Sequence, residues 1–290
     1  LNNLFVNASL RREGSSKLGA DNKWGAFPAF GVGADVNSMF GLGLDKLKVR
    51  VGYATTGNIP GPNGLSVQAR NFVYAGGGSA GGATSLARAA NPDLKWEEKA
   101  ETNVGIEFDK GPLSIDFDIY SRNITDFLID RQVDVTEFGV DRRWENAGAV
   151  TSKGWELAVG YDVLDTGTIT YNTNLMLSSN EVTLDEYPLE LAQYGYLGSP
   201  GQNAVTMVRV KVGSPLGQIF APVFTGVNPD GSPIFKDVNG DGNINSDAGN
   251  VLQDDYDGEV IGSAYPDLEL GWGNVITFGD WTINAFFRGA

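Results

Sequence analysis

Apolar and polar residues alternate along most of this chain. In residues 47–53, for example, Val49 and Val51 flank Arg50, and the next residues on either side keep the same order. The period of two recurs in residues 6–11, 103–108, 113–119, 155–161, 169–177, 268–273 and 281–288. A period of two predicts β-strands with one apolar face and one polar face. We count about nine strands of roughly 8–11 residues, a length that crosses a bilayer at a tilt.

The connections between these strands alternate between short and long. Short turns are predicted at 109–112, 164–167 and 278–280, and long connections at roughly 12–27, 56–101, 121–152 and 178–266. Transmembrane β-barrels keep short turns on the periplasmic side and long loops outside. Bacterial barrels of this kind have an even number of strands, so nine strands predict a portion of a larger barrel. A soluble β-sandwich also alternates, with its apolar face inward, and remains the alternative fold.

Composition narrows the function classes. The chain has no histidine and no cysteine, which removes the commonest general base, thiol nucleophiles and the usual zinc ligands. Lys and Arg total 21 against 36 Asp and Glu, a net charge of −15, so nucleic acid is not an expected partner. We therefore predict a protein that is not an enzyme. No apolar run reaches the length of about 18 residues that suggests a transmembrane helix, and no signal peptide is recognised, so we expect an excerpt of a longer protein.

Five sequence blocks stand out along the chain: RREGSSKLG (11–19) with NKWGAFPA (22–29), LKVRVGY (47–53) with TGN (56–58), NPDLKWE (91–97), NAG (146–148) with KGWEL (153–157), and DVNGDGNI (237–244). In this order they resemble the barrel of SusC/RagA-like TonB-dependent transporters of Bacteroidetes. Leu18 stands where the family commonly has an aromatic residue, and Ser152 where it commonly has Asn. Because the blocks cover most of the chain, the resemblance is specific.

The resemblance implies an all-β fold in which residues 1–290 are the C-terminal portion of an antiparallel transmembrane barrel of about 22 strands. The plug domain and the TonB box would lie outside this chain. The implied function is TonB-dependent import of oligosaccharides or peptides across the outer membrane, together with a SusD-like surface lipoprotein. The implied partners are that lipoprotein, the TonB complex, outer-membrane lipid and the nutrient. No cofactor is required for this activity.

An acidic segment resembles an EF-hand calcium loop. Asp237, Asn239 and Asp241 occupy ligand positions 1, 3 and 5, Asn243 offers a backbone carbonyl, and Gly242 permits the sharp turn. Ala248 replaces the bidentate acid at position 12, and Asp247 is the nearest substitute. The sequence predicts a Ca²⁺ site in residues 237–248 that stiffens an extracellular loop. The alternative is an Asx-rich turn without metal.

Other candidate residues lie on the strands and in the predicted loops. Polar residues expected to share the lumen face are Arg50, Glu107, Asp116, Asp118, Glu156, Asn172, Asn174 and Arg288. Loop aromatics that could stack on a ligand are Trp144, Tyr187, Tyr194, Tyr196 and Tyr256. Loop aromatics also pack loops and partners. The alternative function is a soluble, calcium-stabilised carbohydrate-binding or adhesion module, which would need no detergent.

Overall fold

A computed structural model describes residues 3–74, 82–188, 191–193, 208–245 and 256–290 of the chain. Its elements, in chain order, are β1 (Leu4–Gly14), β2 (Trp24–Asp35), α1 (Val36–Phe40), β3 (Lys46–Asn58), β4 (Ala69–Tyr74), β5 (Gly82–Arg88), β6 (Glu97–Lys110), β7 (Leu113–Thr125), β8 (Leu128–Gln132), α2 (Val135–Phe138), β9 (Arg142–Asn146), β10 (Ala149–Asp165), β11 (Ile169–Glu186), β12 (Leu191–Gln193), β13 (Arg209–Lys211), β14 (Ser214–Pro215), β15 (Gln218–Pro222), β16 (Phe224–Val227), β17 (Pro233–Phe235), β18 (Gly258–Ser263), β19 (Glu269–Phe278) and β20 (Trp281–Gly289). The fold is all-β, as the alternation predicts.

Nine long strands form one antiparallel sheet in the order β1-β2-β3-β6-β7-β10-β11-β19-β20, and β14 adds a short pairing to β11. The remaining short strands form separate hairpins within the long connections. The predicted number of long strands is therefore confirmed. The predicted lengths fit β1, β19 and β20 but are too short for the other six long strands. β10 has 17 residues and β11 has 18. Both continue beyond the apolar rows into positions such as Thr151 and Thr183.

Four connections (15–23, 59–96, 126–148 and 187–268), which we call the long connections, lie at one end of the strands. Because successive strands are antiparallel, the other four (36–45, 111–112, 166–168 and 279–280) lie at the opposite end. Two of the tight turns contain Gly111 and Gly279 at φ 55° and 54°, a backbone region that favours glycine. The predicted alternation of long and short connections holds from β3 onward. Before β3 the two connections are of nearly equal length, because β1 and β2 extend further than expected and 36–45 contains α1.

The register places apolar and polar residues on opposite faces of the sheet. One row across seven neighbouring strands is Ala34, Val49, Ile106, Phe117, Leu157, Leu177 and Leu270. The adjacent row on the other face is Gly33, Arg50, Gly105, Asp118, Glu156, Ser178 and Glu269. A shift of one residue in any strand would exchange these faces, so the pattern fixes the register.

The apolar face remains uncovered. Val6 is 69% exposed, Ile119 is 51% exposed and Phe287 is 54% exposed, although each lies on an apolar row. Soluble proteins rarely expose contiguous apolar surface larger than a few hundred Å². The buried core instead lies at the long-connection end of the strands, chiefly as a cluster of Leu18, Phe27, Leu65, Leu94 and Trp96, which we call the rim cluster. Within the described ranges, no helix combines the length and apolar character needed to cross a membrane.

Candidate functional site

The polar face of the sheet brings together the residues predicted to share it. The register places Arg50, Glu107, Asp116, Asp118, Glu156, Asn172, Asn174 and Arg288 on this one face. The period of two was sufficient to predict this, because alternate residues of a strand point to the same side. The face spans seven neighbouring strands, from β3 to β20, in a single continuous sheet.

A chain of ion pairs crosses three of these strands. Lys46 Nζ lies 2.6 Å from Glu107 Oε2, and Arg50 Nη1 lies 2.7 Å from Glu107 Oε1. Arg50 also donates to Asp118, with Nη2 2.5 Å from Oδ2. The guanidinium lies across Gly105, where a Cβ would come within 2.6 Å of Arg50 Cζ. The ion pairs therefore join β3, β6 and β7, and the guanidinium occupies the space that a side chain at Gly105 would take.

A second charged group lies nearer the end of the strands where the long connections are. Arg122 donates from Nε to Glu101 Oε2 at 2.9 Å, and its guanidinium carbon lies 4.2 Å from the centre of the Tyr120 ring. The Tyr120 side chain in turn extends over Gly154, where a Cβ would lie 2.5 Å from the hydroxyl. The Arg122 and Tyr120 side chains therefore lie against the polar face of the sheet.

A recess of about 420 Å³ opens on the same face, at the end nearer β20. Its lining includes the carboxylates of Asp116 and Glu156 and the apolar side chains of Met176 and Phe286. Arg288 at its edge pairs with Glu269 at 2.9 Å. The recess therefore places apolar residues beside charged ones on the polar face.

The predicted ligand-stacking aromatics do not form one group in the described residues. Trp144 lies in β9 and packs against the rim cluster. Tyr256 is 8% exposed and packs against Phe220, with ring centres 5.9 Å apart. Tyr187 is half-buried after β11, and Tyr194 and Tyr196 lie outside the described residues. Trp144 and Tyr256 thus both contribute to loop packing, and their binding of ligand stays a prediction.

The acidic segment forms a series of Asx turns. Asp237 accepts from the backbone N–H groups of Gly240 (2.6 Å) and Gly242 (2.9 Å). Asn239 Oδ1 accepts from Asp241 N at 2.9 Å, and Asp241 Oδ1 accepts from Asn243 N at 2.7 Å. No group of three or more His, Cys, Asp or Glu side chains suited to a metal occurs among the described residues, which exclude Asp247. The turns match the alternative to calcium, and the Ca²⁺ site stays a prediction.

Asp257 anchors this segment from a distance in sequence. Its side chain is fully buried, and its carboxylate accepts from the backbone N–H groups of Val238 (2.8 Å), Asn239 (3.4 Å) and Asn245 (2.8 Å). These backbone donors, led by Asn245, hold the pKa of the Asp257 carboxyl below its usual value. Asp257 therefore fixes the loop conformation through three donors.

The rim cluster is the feature that sequence reasoning missed. Phe27 and Trp96 meet edge to face with ring centres 5.3 Å apart, and Leu94 is completely buried beside them. Two blocks of the family resemblance, 11–29 and 91–97, contribute most of its side chains. Leu94 and Trp96 stand in the predicted long connection 56–101, and they were the sequence signal for this cluster. Large apolar residues in a loop are usually buried by packing.

Comparison with known proteins accords with this architecture. The family model described as "TonB dependent receptor-like, beta-barrel" matches residues 1–285. TonB-dependent receptor P39 of Formosa agariphila is 30% identical over 298 residues, covering 97% of this chain and 27% of that protein. TonB-dependent receptor SusC of Bacteroides thetaiotaomicron is 28% identical over 279 residues, covering 85% of this chain and 26% of that protein.

Solved structures agree on the fold. The RagAB peptide importer in its closed-closed state superposes with a TM-score of 0.76 at 19% identity, covering 99% of this chain and 31% of that chain. Its open-open state gives 0.75, also at 19% identity, covering 99% and 30% respectively. The chain thus spans between a quarter and a third of the length of these proteins. On the extent of the family match and the nine-strand sheet, the chain belongs to the TonB-dependent receptor β-barrel family and resembles its SusC and RagA members.

Proposed function

We propose that this chain forms part of an outer-membrane importer that takes up oligosaccharides or peptides with energy from TonB. The observation that carries the proposal is the uncovered apolar face opposite a polar, ion-paired face on one continuous sheet. In a barrel wall the first face contacts lipid and the second lines the lumen. The long connections then lie outside the cell and the short turns in the periplasm.

The proposed partners follow from the relatives. One relative carries the name SusC and another is a peptide importer. These relatives support a peptide or glycan as cargo, and a SusD-like surface lipoprotein as a partner at the long-connection end of the strands. TonB would act through a region of the transporter outside this chain. Such transport requires no cofactor and no covalent step, and we propose no catalytic residue. The aromatic and acidic loop residues discussed above are proposed contacts for cargo and for Ca²⁺.

The soluble carbohydrate-binding module is the weaker candidate. A soluble protein would cover its apolar sheet face, and Val6, Ile119 and Phe287 would then be buried. Membership of a barrel family also favours the transporter. The two candidates differ in solubility, so fractionation separates them.

The test uses the intact transporter that contains this chain, expressed as the sole uptake route for labelled peptides or oligosaccharides in a Gram-negative host. We expect the protein in the outer-membrane fraction, heat-modifiable migration on gels, and uptake that stops when TonB is deleted or the proton gradient is collapsed. Uptake that survives TonB deletion would indicate an ordinary porin. Recovery from the soluble fraction without detergent would overturn the membrane assignment.

A further inference from the structure

Three of the four long connections are packed together at one end of the sheet. Leu18 from the first connection (15–23) meets Leu65, Leu94 and Trp96 from the second (59–96) in the rim cluster. The third connection (126–148) packs against the same cluster through partly buried side chains of Leu128 and Trp144. Separating the connections would expose Leu18 and Leu94, which are 1% and 0% exposed. Burial of this kind opposes independent movement.

Hydrogen bonds join the first connection to the second at several points. Gly19 donates from its backbone to Leu94 O at 2.8 Å, and Asn22 Nδ2 donates to Asp93 O at 2.9 Å. Trp96 Nε1 donates to Lys23 O at 3.2 Å. The contact at Gly19 is so close that a Cβ there would lie 1.8 Å from Pro92 O. The two connections therefore fit with no space for a side chain at position 19.

Two asparagine side chains join the second connection to the third. Asn91 is 6% exposed and donates from Nδ2 to Trp144 O at 2.8 Å. Asn146 accepts from Lys95 N at 2.9 Å and donates to Lys95 O (3.0 Å) and Asp126 O (2.9 Å). Its amide thus uses both N–H donors and its oxygen on backbone groups. An amide is needed at position 146, since neither Asp nor Leu can supply both donor and acceptor there.

We propose that Asn91 and Asn146 are positioning residues that unite these three connections into one rigid body, which forms a fixed side of the transporter's outer entrance. The inference rests on the proposed import function. The entrance then opens without movement between these connections, and any motion that admits cargo occurs elsewhere on its circumference. The family-like blocks at 11–29, 91–97 and 146–148 accordingly serve to hold this body together.

The first experiment links the first connection to the second by a disulfide during import. Asn22→Cys with Asp93→Cys, in the intact transporter, places one pair of thiols between the first and second connections, and this chain contributes no other cysteine. We expect oxidised and reduced forms to import at the same rate. Since a moving lid often limits turnover, a drop of about tenfold on oxidation that reductant reverses would overturn the fixed-side inference. Each single-cysteine variant is the control for the loss of the original side chain.

The second experiment asks whether the connections open together. In Asn146→Ala we expect hydrogen exchange to rise by a similar factor in residues 126–148, 91–96 and 15–23, although Asn146 bonds only within the second and third connections. Asn228→Ala is the matched control, because its side chain bonds Ser232 inside the β16–β17 turn. A rise confined to 126–148 would show independent loops and refute the rigid body.

The two inferences fail in different ways. A wild-type transporter that imports no peptide or oligosaccharide contradicts the proposed function, while the exchange experiment still decides whether the connections form one body. Import that is blocked by the oxidised tether contradicts the fixed side alone.

Discussion

Replacing Leu94 by alanine removes the most deeply buried side chain of the rim cluster. Leu94 is 0% exposed and is held against Phe27 and Trp96, so the cavity left behind cannot be filled by solvent-side groups. Leu-to-Ala changes at such sites cost about 2–5 kcal/mol. Because every 1.4 kcal/mol is a factor of ten, a cost of about 3 kcal/mol raises the locally open population about a hundredfold.

Hydrogen exchange of the detergent-solubilised protein measures that population directly, provided that reclosing is fast compared with chemical exchange of the open amides. We expect faster exchange in residues 15–23, 91–96 and 126–148, with little change in the strands of the nine-strand sheet. Val67→Ala is the control in the same connection, because Val67 is 57% exposed and surface changes fall within about 0.5 kcal/mol. If exchange in Leu94→Ala changes by less than about threefold, the cluster does not hold the connections and the cavity reasoning is wrong.

Three further predictions concern the sheet and the fourth connection. Gly154→Ala should lower the yield of heat-modifiable folded protein, because the new Cβ would lie 2.6 Å from Ser179 O and overpacking costs about 1–3 kcal/mol. Gly52→Ala is the control and should be tolerated, because the nearest atom to its Cβ is a backbone oxygen 4.0 Å away. The pKa of Asp257 is lowered in the folded protein, so its stabilisation of residues 238–245 is present above the unfolded-state pKa and is lost as pH falls through the folded value. The protection factors of these residues, which correct for the slower intrinsic exchange of amides in acid, should therefore fall at low pH. Asp257→Asn should abolish that fall and lower the protection at neutral pH. Crystals soaked in millimolar calcium should give an anomalous peak at residues 237–248, and Asp237→Ala should remove it. If the unsubstituted protein gives no peak there, the calcium site is refuted.

The sequence predicted the two faces of the sheet because side-chain alternation is a local property. Arg50 and Glu156 could be assigned to the polar face from their neighbours alone, without knowing which strands pair. β2 (Trp24–Asp35) gave a weaker pattern, since Gly25, Gly31 and Gly33 interrupt the rows. The order of short and long connections was equally accessible, because turn residues are concentrated in short segments.

Contacts between distant segments were beyond the same reasoning. The ion pairs of Arg50 join residues 57 and 68 positions away, and they exist only in the observed register. The rim cluster depends on how three connections fold onto each other, which no periodicity describes. The calcium pattern was visible in the sequence, yet the same Asp and Asn residues also satisfy turns with their own backbone. The local pattern therefore predicts the nine-strand sheet and its two faces. The packing of the long connections depends on tertiary contacts that this pattern does not contain.

The two- and three-residue turns at 111–112, 166–168 and 279–280 have a consequence for how this protein can change length. One inserted residue within a strand would reverse the facing of every side chain beyond it, and a tight turn has no slack to absorb the error. Insertions and deletions at these three turns should therefore misalign the sheet. The longer connections at the opposite end of the strands, together with 36–45, can change in length without reversing the facing of any strand.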